Sequence, residues 1–363
     1  MTVLVVLMVG TPGHAKEAVP EPQAQVKMPA VDIPRSKGLP VIVRTALFFT
    51  AIDSFDDNKG TFEATTDLRL SWHDTALRYP AAQAPRGYKE YRASAAESEL
   101  EKIWTPIIRF ANRVGEPSFS ERRLRVFPNG RIETLTRTAA LYKTPVDVSR
   151  FPFDHQSLKV ELAVREDTLE TVDLDFSSED VDFSRVASDA EIDGWTLGLV
   201  NLNREVLKGW DGERYAKVSA SVTVQRVATG AIATVFIPLF ASLLIPFLAT
   251  WMNRAEDGGF SVDAFELANV VIGGLFAVIA LSFAISSSYP AVASGDNTVT
   301  RLIGLNYVAL ALGLFIIVVF YRYSIPSRWL GPYLQEQAFR FLIWAFPFLF
   351  ICTGLAFVLI AAA

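Results

Sequence analysis

From Leu39 to Arg226, apolar side chains tend to recur at every second position. In GTFEATTDLRLSW the residues Phe62, Ala64, Thr66, Leu68, Leu70 and Trp72 share one face, and in YAKVSASVTVQR so do Val218, Ala220, Val222 and Val224. A period of two sends neighbouring side chains to opposite faces of a strand, so this region reads as strands with one buried face. Further short strands are predicted at 41–50, 122–127, 131–141, 157–164 and 195–202, divided by turn signals such as Pro128-Asn129-Gly130. Many short strands in succession point to a β-sandwich. Only Pro80 to Glu101, rich in Ala, Glu and Arg with little β-branching, reads as helix or irregular loop.

After Arg226 the alternation gives way to long apolar runs. Ala231 to Trp251, Leu302 to Tyr321 and Phe341 to Ala363 contain no Asp, Glu, Lys or Arg. Membrane spans are predicted at about 231–251, 265–288, 302–321 and 339–363. Pro238, Pro246 and Pro347 lie within spans, where neighbouring helices satisfy the freed carbonyls. The expected fold is an extracellular or periplasmic immunoglobulin-like β-sandwich, residues 39–228, followed by a four-helix transmembrane bundle, residues 229–363.

Ahead of the sandwich, the apolar run of residues 2–10 and the small residues Gly13 and Ala15 suit an export signal cleaved after Ala15, although no Lys or Arg precedes the run. A short N-terminal anchor is the alternative. Residues 16–38 then read as a Pro-rich linker. Four spans after an exported domain return the C-terminus to the outside. Arg254, Arg322, Arg328 and Arg340 fall on the two connectors that this topology makes cytoplasmic.

Composition narrows the chemistry. Of 363 residues 51% are hydrophobic and 20% charged, and 34 Lys and Arg against 39 Asp and Glu leave a formal net charge of −5. With no long basic run, nucleic acid is not an expected partner. The single cysteine, Cys352, lies in the last apolar run and reads as a small apolar filler, so neither an intrachain disulfide nor a Cys-based metal site is available. His14, His73 and His155 are not spaced as a metal-binding pair, and no cofactor or metal is expected. Asp173 to Asp193 holds eight acidic residues. They read as solvated loops, with a cation-concentrating surface as the alternative.

Three motifs narrow the architecture. They are IWTPIIRFANRVGEP at Ile103 to Pro117, RLRVFPNGRI, and RFPFDHQSLKVEL with Phe151, Pro152, Phe153, Asp154 and Gln156. As an ordered set they resemble the extracellular domain of the pentameric ligand-gated ion channels (the Cys-loop receptor superfamily), in its prokaryotic cysteine-free branch. Where animal members have the two bridging cysteines, Thr144 and Leu158 stand here. FIPL at Phe236 to Leu239 and Trp251 look like the family's first span, and FRFLIWAFPF looks like the fourth. The stretch before the second span is several residues longer than the family pattern, which leaves the pore register open. The likeness is nearest to the amine-gated bacterial type and implies a homopentamer in a bacterial inner membrane. Such a pentamer opens for a small-molecule agonist and passes monovalent cations across the lipid bilayer.

A helix that borders a water-filled pore needs polar or small residues along one face, and only the second span meets this test. Glu266, Asn269, Gly273, Phe276, Ala280, Phe283 and Ser287 share a face, from which Phe265, Val271, Leu275, Val278 and Leu281 are excluded. In a pentamer Glu266 forms a carboxylate ring that attracts cations; its alternative is an interfacial carboxylate favoured by the helix dipole. Asn269 is either a second ring or an interhelical hydrogen-bond donor. The narrowest side chains are Phe276 or Phe283, or Ile272 and Ile279 if the helix is rotated.

Opening requires a contact layer between the sandwich and the linker that starts at Tyr289 and Pro290. Asp56 and Asp57, the Phe151-Pro152-Phe153-Asp154 loop and Arg226 supply it, an arginine between carboxylates being the charge cluster that the resemblance places here. Arg226 otherwise reads as a juxtamembrane cation. For the agonist, the resemblance points to a subunit interface lined by Trp104, Phe110, Asn112, Trp210 and Tyr215, whose aromatics suit an ammonium group. Trp210 reads equally as a loop aromatic packed on the sandwich. Arg165 stands where the amine-gated type has an acidic and an aromatic residue, so amines, other small molecules and protons all stay open as agonists. Two other classes remain: a non-conducting receptor of the same architecture, and a membrane-anchored glycoside hydrolase that uses an acidic pair.

Overall fold

The computed structural model describes residues 32–34, 38–253, 255–256, 259–260 and 262–363. The export signal, most of the linker and Arg254 lie outside the described residues. Among the described residues, ten strands build the two facing sheets of the sandwich. β1 (Val41–Asp56), β2 (Thr61–His73), β3 (Lys89–Arg92), β5 (Arg113–Val126), β6 (Arg131–Lys143) and β8 (Val172–Asp175) form one, in the order β3-β5-β6-β2-β1-β8. β4 (Ile108–Phe110), β7 (His155–Val164), β9 (Trp195–Lys208) and β10 (Arg214–Arg226) form the other, in the order β4-β7-β10-β9. All pairings are antiparallel except β1 with β8.

The alternating positions turn inward. Phe62, Ala64, Leu68, Leu70 and Trp72 from β2 meet Val218, Ala220, Val222 and Val224 from β10 in one apolar core. Fully buried Leu47, Phe49, Leu124 and Leu158 complete it. The strands run longer than their apolar cores predict, because edge and end residues pair through the backbone whatever their side chains. Pro80 to Glu101 holds the expected helical piece, Ser94–Leu100, which buries Ala96 and Leu100, but also a strand that was not expected, β3, which joins the edge of the larger sheet.

Most acids of the Asp173 to Asp193 segment are exposed, as expected of solvated loops, but Asp173 and Asp180 depart from this and are buried. Asp173 pairs with Arg204, and Asp180 pairs with Arg69 at 2.8 Å. Burial would raise the Asp180 carboxyl, but hydrogen bonds from the Ser177 backbone and hydroxyl and from Arg69 outweigh it, holding the group below the usual carboxylate range.

Among the described residues, four helices are long and apolar enough to cross a membrane: Ala228–Trp251, Ala264–Ser288, Thr298–Arg322 and Pro332–Ala362. The third begins earlier than its apolar run because Asn297 caps it, accepting from the N–H groups of Val299 and Thr300. The fourth begins at Pro332, whose fixed φ suits a first helical turn. Before the second span the extra residues include a small antiparallel pairing of Ala255–Glu256 with Gly259–Phe260. Cys352 is exposed on the outer side of the fourth span, so it fills no core position.

A fully buried polar contact within the bundle escapes the apolar pattern. Asn306, fully buried on the third span, donates to the carbonyls of Leu239 (3.1 Å) and Leu302 (3.0 Å) and accepts from the Ser242 hydroxyl at 2.6 Å. It fastens the first span to the third, where no water competes. Asn306→Leu should lower the stability of the solubilised protein by about 1 kcal/mol, as measured by thermal unfolding in detergent.

Candidate functional site

The FDDNKG turn between β1 and β2 needs Gly60 at its end. Its φ is +64°, and a Cβ there would stand 2.7 Å from the Thr144 carbonyl oxygen. Asp56 holds this turn, accepting from the backbone of Asn58 and Lys59 and pairing with the Lys59 ammonium at 2.9 Å. The Lys59 side chain keeps Asp56 below its ordinary pKa. Asp56 therefore shapes the turn and makes no bond to Arg226.

Asp57 does. Arg226, the last residue of β10, donates to Asp57 at 2.7 Å and to both carboxylate oxygens of Asp154, at 2.7 and 3.1 Å. Its guanidinium lies 4.2 Å from the Trp195 ring centre and 5.0 Å from that of Phe151. Asp154 is 1% exposed and also accepts from Gln156, which is itself fixed by Asp147. Burial works against the Arg226 cation, but the bonds to Asp154 and Asp57 overcome it and raise the pKa further. Asn58, Gln156 and Trp195 were not assigned to this cluster from the sequence. A polar Gln at a core-facing position of β7 was the available signal.

The same loops reach the bundle. Phe151 is fully buried, stacks on Phe236 of the first span at 6.4 Å and meets Tyr289 at 5.7 Å. It shares an apolar cluster with Leu239, Ile285, Val292 and Leu302, so one sandwich residue sits inside the membrane domain's packing. Pro152 and Phe153 border an apolar groove of about 520 Å³ between the first and fourth spans. Pro290 opens the short helix Pro290–Ser294, and the Ala291 N–H donates to Asn58 at 3.3 Å. At the other end of the loop, the Thr144 hydroxyl donates to the Ser157 carbonyl at 2.7 Å.

The second span packs on its own chain through one narrow seam, Leu267, Val271, Gly274, Val278 and Ile285. Asn269, Phe276, Phe283 and Ser287 point directly away from that seam, flanked by Glu266, Gly273 and Ala280, and all are exposed. Phe276 is 67% and Phe283 77% exposed. Phe265, excluded from this face by the sequence reading, belongs to it: at 72% exposure it lies one turn from Asn269. Val271 and Val278 lie in the seam, Leu281 packs beside it, and Leu275 is on the flank. Asp263 caps the helix, and Glu266 lies in its first turn.

The residues named for the agonist are not brought together within one chain. Trp104 is buried and crosses Trp72 edge to face at 6.3 Å, so it serves the core. Asn112 bridges the carbonyls of Lys143 and Lys159 and accepts from the Glu161 N–H, which fixes its loop. Phe110 packs on Tyr142, and Tyr215 donates to Asp211 at 2.6 Å. Trp210 is fully exposed at the tip of the β9–β10 hairpin, and Arg165 is exposed after β7. Between them on the sheet face lies a cation that the sequence reading missed: Lys217, bonded to Glu161 at 3.0 Å and Glu205 at 3.2 Å.

A strand sandwich whose lowest loops lock into a bundle of membrane-spanning helices defines a receptor domain joined to a transmembrane domain. Residues 29–228 match the neurotransmitter-gated ion-channel ligand binding domain, and the chain belongs to that family. It is a family of ligand-gated ion channels, not of enzymes, which sets the glycoside hydrolase aside. The chain is similar to the proton-gated ion channel of Gloeobacter violaceus, 26% identical over 254 residues, covering 69% of this chain and 65% of that protein. It is also similar to the gamma-aminobutyric acid receptor subunit theta of Mus musculus, 25% identical over 225 residues, covering 61% of this chain and 34% of the other. The matches span less than two thirds of either relative.

Proposed function

We propose that the chain forms a homopentameric, ligand-gated, cation-selective channel of a bacterial inner membrane, with the sandwich and the C-terminus on the periplasmic side. The observation that carries this reading is the second span. Its packing on its own chain leaves an uncovered face with Glu266 and Asn269 near one end, Ser287 at the other and phenylalanines between. Fivefold closure around that face makes a pore with a carboxylate ring near its cytoplasmic mouth and an apolar middle that excludes water when narrow. An agonist bound between neighbouring sandwiches, near Phe110, Trp210 and Tyr215, acts through Arg226 and Phe151 on the first span and on the linker after the second. Arg165 beside that site weighs against a simple amine, and the similarity to a proton-gated channel keeps protons among the stimuli.

The test is a planar-bilayer recording from purified protein under a potassium chloride gradient, stepping pH and adding amines, amino acids and carboxylates. A gated current that reverses near the potassium potential is expected, with Glu266→Gln shifting reversal toward zero. Reversal near the chloride potential would remove Glu266 as the filter. Silence in protein shown to be pentameric would favour the non-conducting receptor, in which the phenylalanine face stays closed.

A further inference from the structure

Phe260 is the single aromatic residue between Trp251 and Phe265, in a polar connector to which the sequence reading gave no role. Its ring centre lies 4.6 Å from that of Tyr321 on the third span, and it crosses Phe339 on the fourth edge to face at 5.2 Å. Tyr321 and Phe339 also meet each other, at 5.5 Å, and the Tyr321 hydroxyl donates to the Thr250 carbonyl of the first span at 3.4 Å. Phe260 is thus packed into the apolar cluster of Phe320, Phe339 and Phe346, to which no described residue of the second span belongs.

The connector is clasped again two residues on. Asn253, buried just past the first span, accepts from the Val262 N–H at 3.1 Å and donates to the Val262 carbonyl at 3.4 Å. Asp263 then caps the second span, and only Ala264 and Phe265 intervene before Glu266. The start of the second span is therefore tied to the first span through Asn253 and to the third and fourth through Phe260. Hydrogen bonds exchange for bonds to water at little net cost, whereas packed ring contacts do not, so Phe260 is the firmer hold. The field of a carboxylate falls with distance, and a ring of five selects ions only while its members keep one radius and one height.

We propose that Phe260 is a positioning residue for cation selectivity: its ring, lodged between Tyr321 and Phe339, fixes the height and rotation of Glu266 from behind the pore. The inference rests on the channel reading and adds to it a residue that never meets an ion.

Two measurements on the full-length protein test it. The first is hydrogen exchange of the amides from Val262 to Val270 in lipid nanodiscs. Phe260→Ala should speed exchange roughly tenfold, and Phe260→Tyr, which keeps the ring, should not. The second is the reversal potential in planar bilayers under a potassium chloride gradient. Phe260→Ala should lower the potassium-to-chloride permeability ratio roughly threefold or more, with Phe260→Tyr near the unaltered protein. In the Glu266→Gln background the same exchange should change the ratio no further, because Phe260 acts through that carboxylate. Phe260→Leu, expected to fall between, serves where the alanine variant does not assemble. Unchanged exchange in both Phe260→Ala and Phe260→Leu would overturn the anchor. Faster exchange with an unchanged ratio, or an equal further loss in the Glu266→Gln background, would overturn the selectivity role and leave the channel reading standing. Silence in the unaltered protein would overturn the channel reading and the selectivity role together, while the exchange data would still uphold or reject the anchor.

Discussion

Arg226→Ala should leave agonist bound and the channel shut. The guanidinium is 10% exposed, and its removal strands Asp154, at 1% exposure, with only Gln156 as side-chain partner. Breaking a buried pair from one side costs about 3–5 kcal/mol, because the remaining charge keeps its desolvation penalty. That cost falls at the junction between sandwich and bundle, while the sandwich core of Phe62, Leu68, Val218 and Val222 is untouched. Ligand binding, which the proposed site places on the upper loops, should therefore be retained, whereas transmission to Phe236 and Tyr289 should be lost. Arg226→Lys keeps the charge without the fork that grips Asp154 by two oxygens and reaches Asp57, so an intermediate current is expected. Paired measurements of ligand binding and current decide the matter. Normal currents from Arg226→Ala, in protein verified as assembled, would reject the coupling role.

The sandwich and the spans are legible because burial imposes a period. Phe62 to Trp72 cannot alternate without a buried face, and a charge-free run as long as Ala231 to Trp251 has no comfortable place in water. What escaped is set by tertiary partners rather than by pattern. β3 has no apolar alternation in Lys89-Glu90-Tyr91-Arg92; it pairs because β5 offers a free edge. Asp180 looks like any acid in an acidic loop until Arg69, 111 positions away, comes within bonding distance. Asn306 is a single polar residue in an apolar run, and its purpose shows only when Leu239 and Ser242 are placed beside it.

The same distinction separates the two aspartates of the FDDNKG turn. Adjacent in sequence and alike in chemistry, Asp56 turns back on Lys59 while Asp57 faces Arg226. Asp56 ends β1 and Asp57 begins the turn, so their side chains part where the strand stops, and which of them meets the arginine depends on how β10 enters the first span. The motif identified the cluster, and the structure selected its members. For the residues named for the agonist the gap is wider, because the proposed site between copies would leave its half-sites apart in each chain. Trp104 and Asn112 carry the motif by holding the loop, whereas the exposed Trp210 lies in none of the three motifs.

Phe276→Ser should leave the channel leaking without agonist, and Val278→Ser should not. The two positions lie two apart on one helix, and both exchanges replace an apolar side chain with a hydroxyl. Val278 is fully buried in the seam against the chain's own bundle, so its loss costs about 2 kcal/mol of fold stability and lowers the yield of assembled protein. Phe276 faces away from that seam at 67% exposure, where its loss leaves the fold intact but wets the axis of a pentamer. If each ring favours the closed state by about 0.5 kcal/mol, five copies shift the equilibrium by about 2.5 kcal/mol. That raises the resting open probability by a factor between roughly tenfold and a hundredfold. Resting current per unit of assembled protein, with thermal unfolding alongside, separates the outcomes. A leak from Val278→Ser with a tight Phe276→Ser would mean that the helix is rotated by about half a turn in the assembly, and the pore face assigned to Glu266 and Asn269 would move with it.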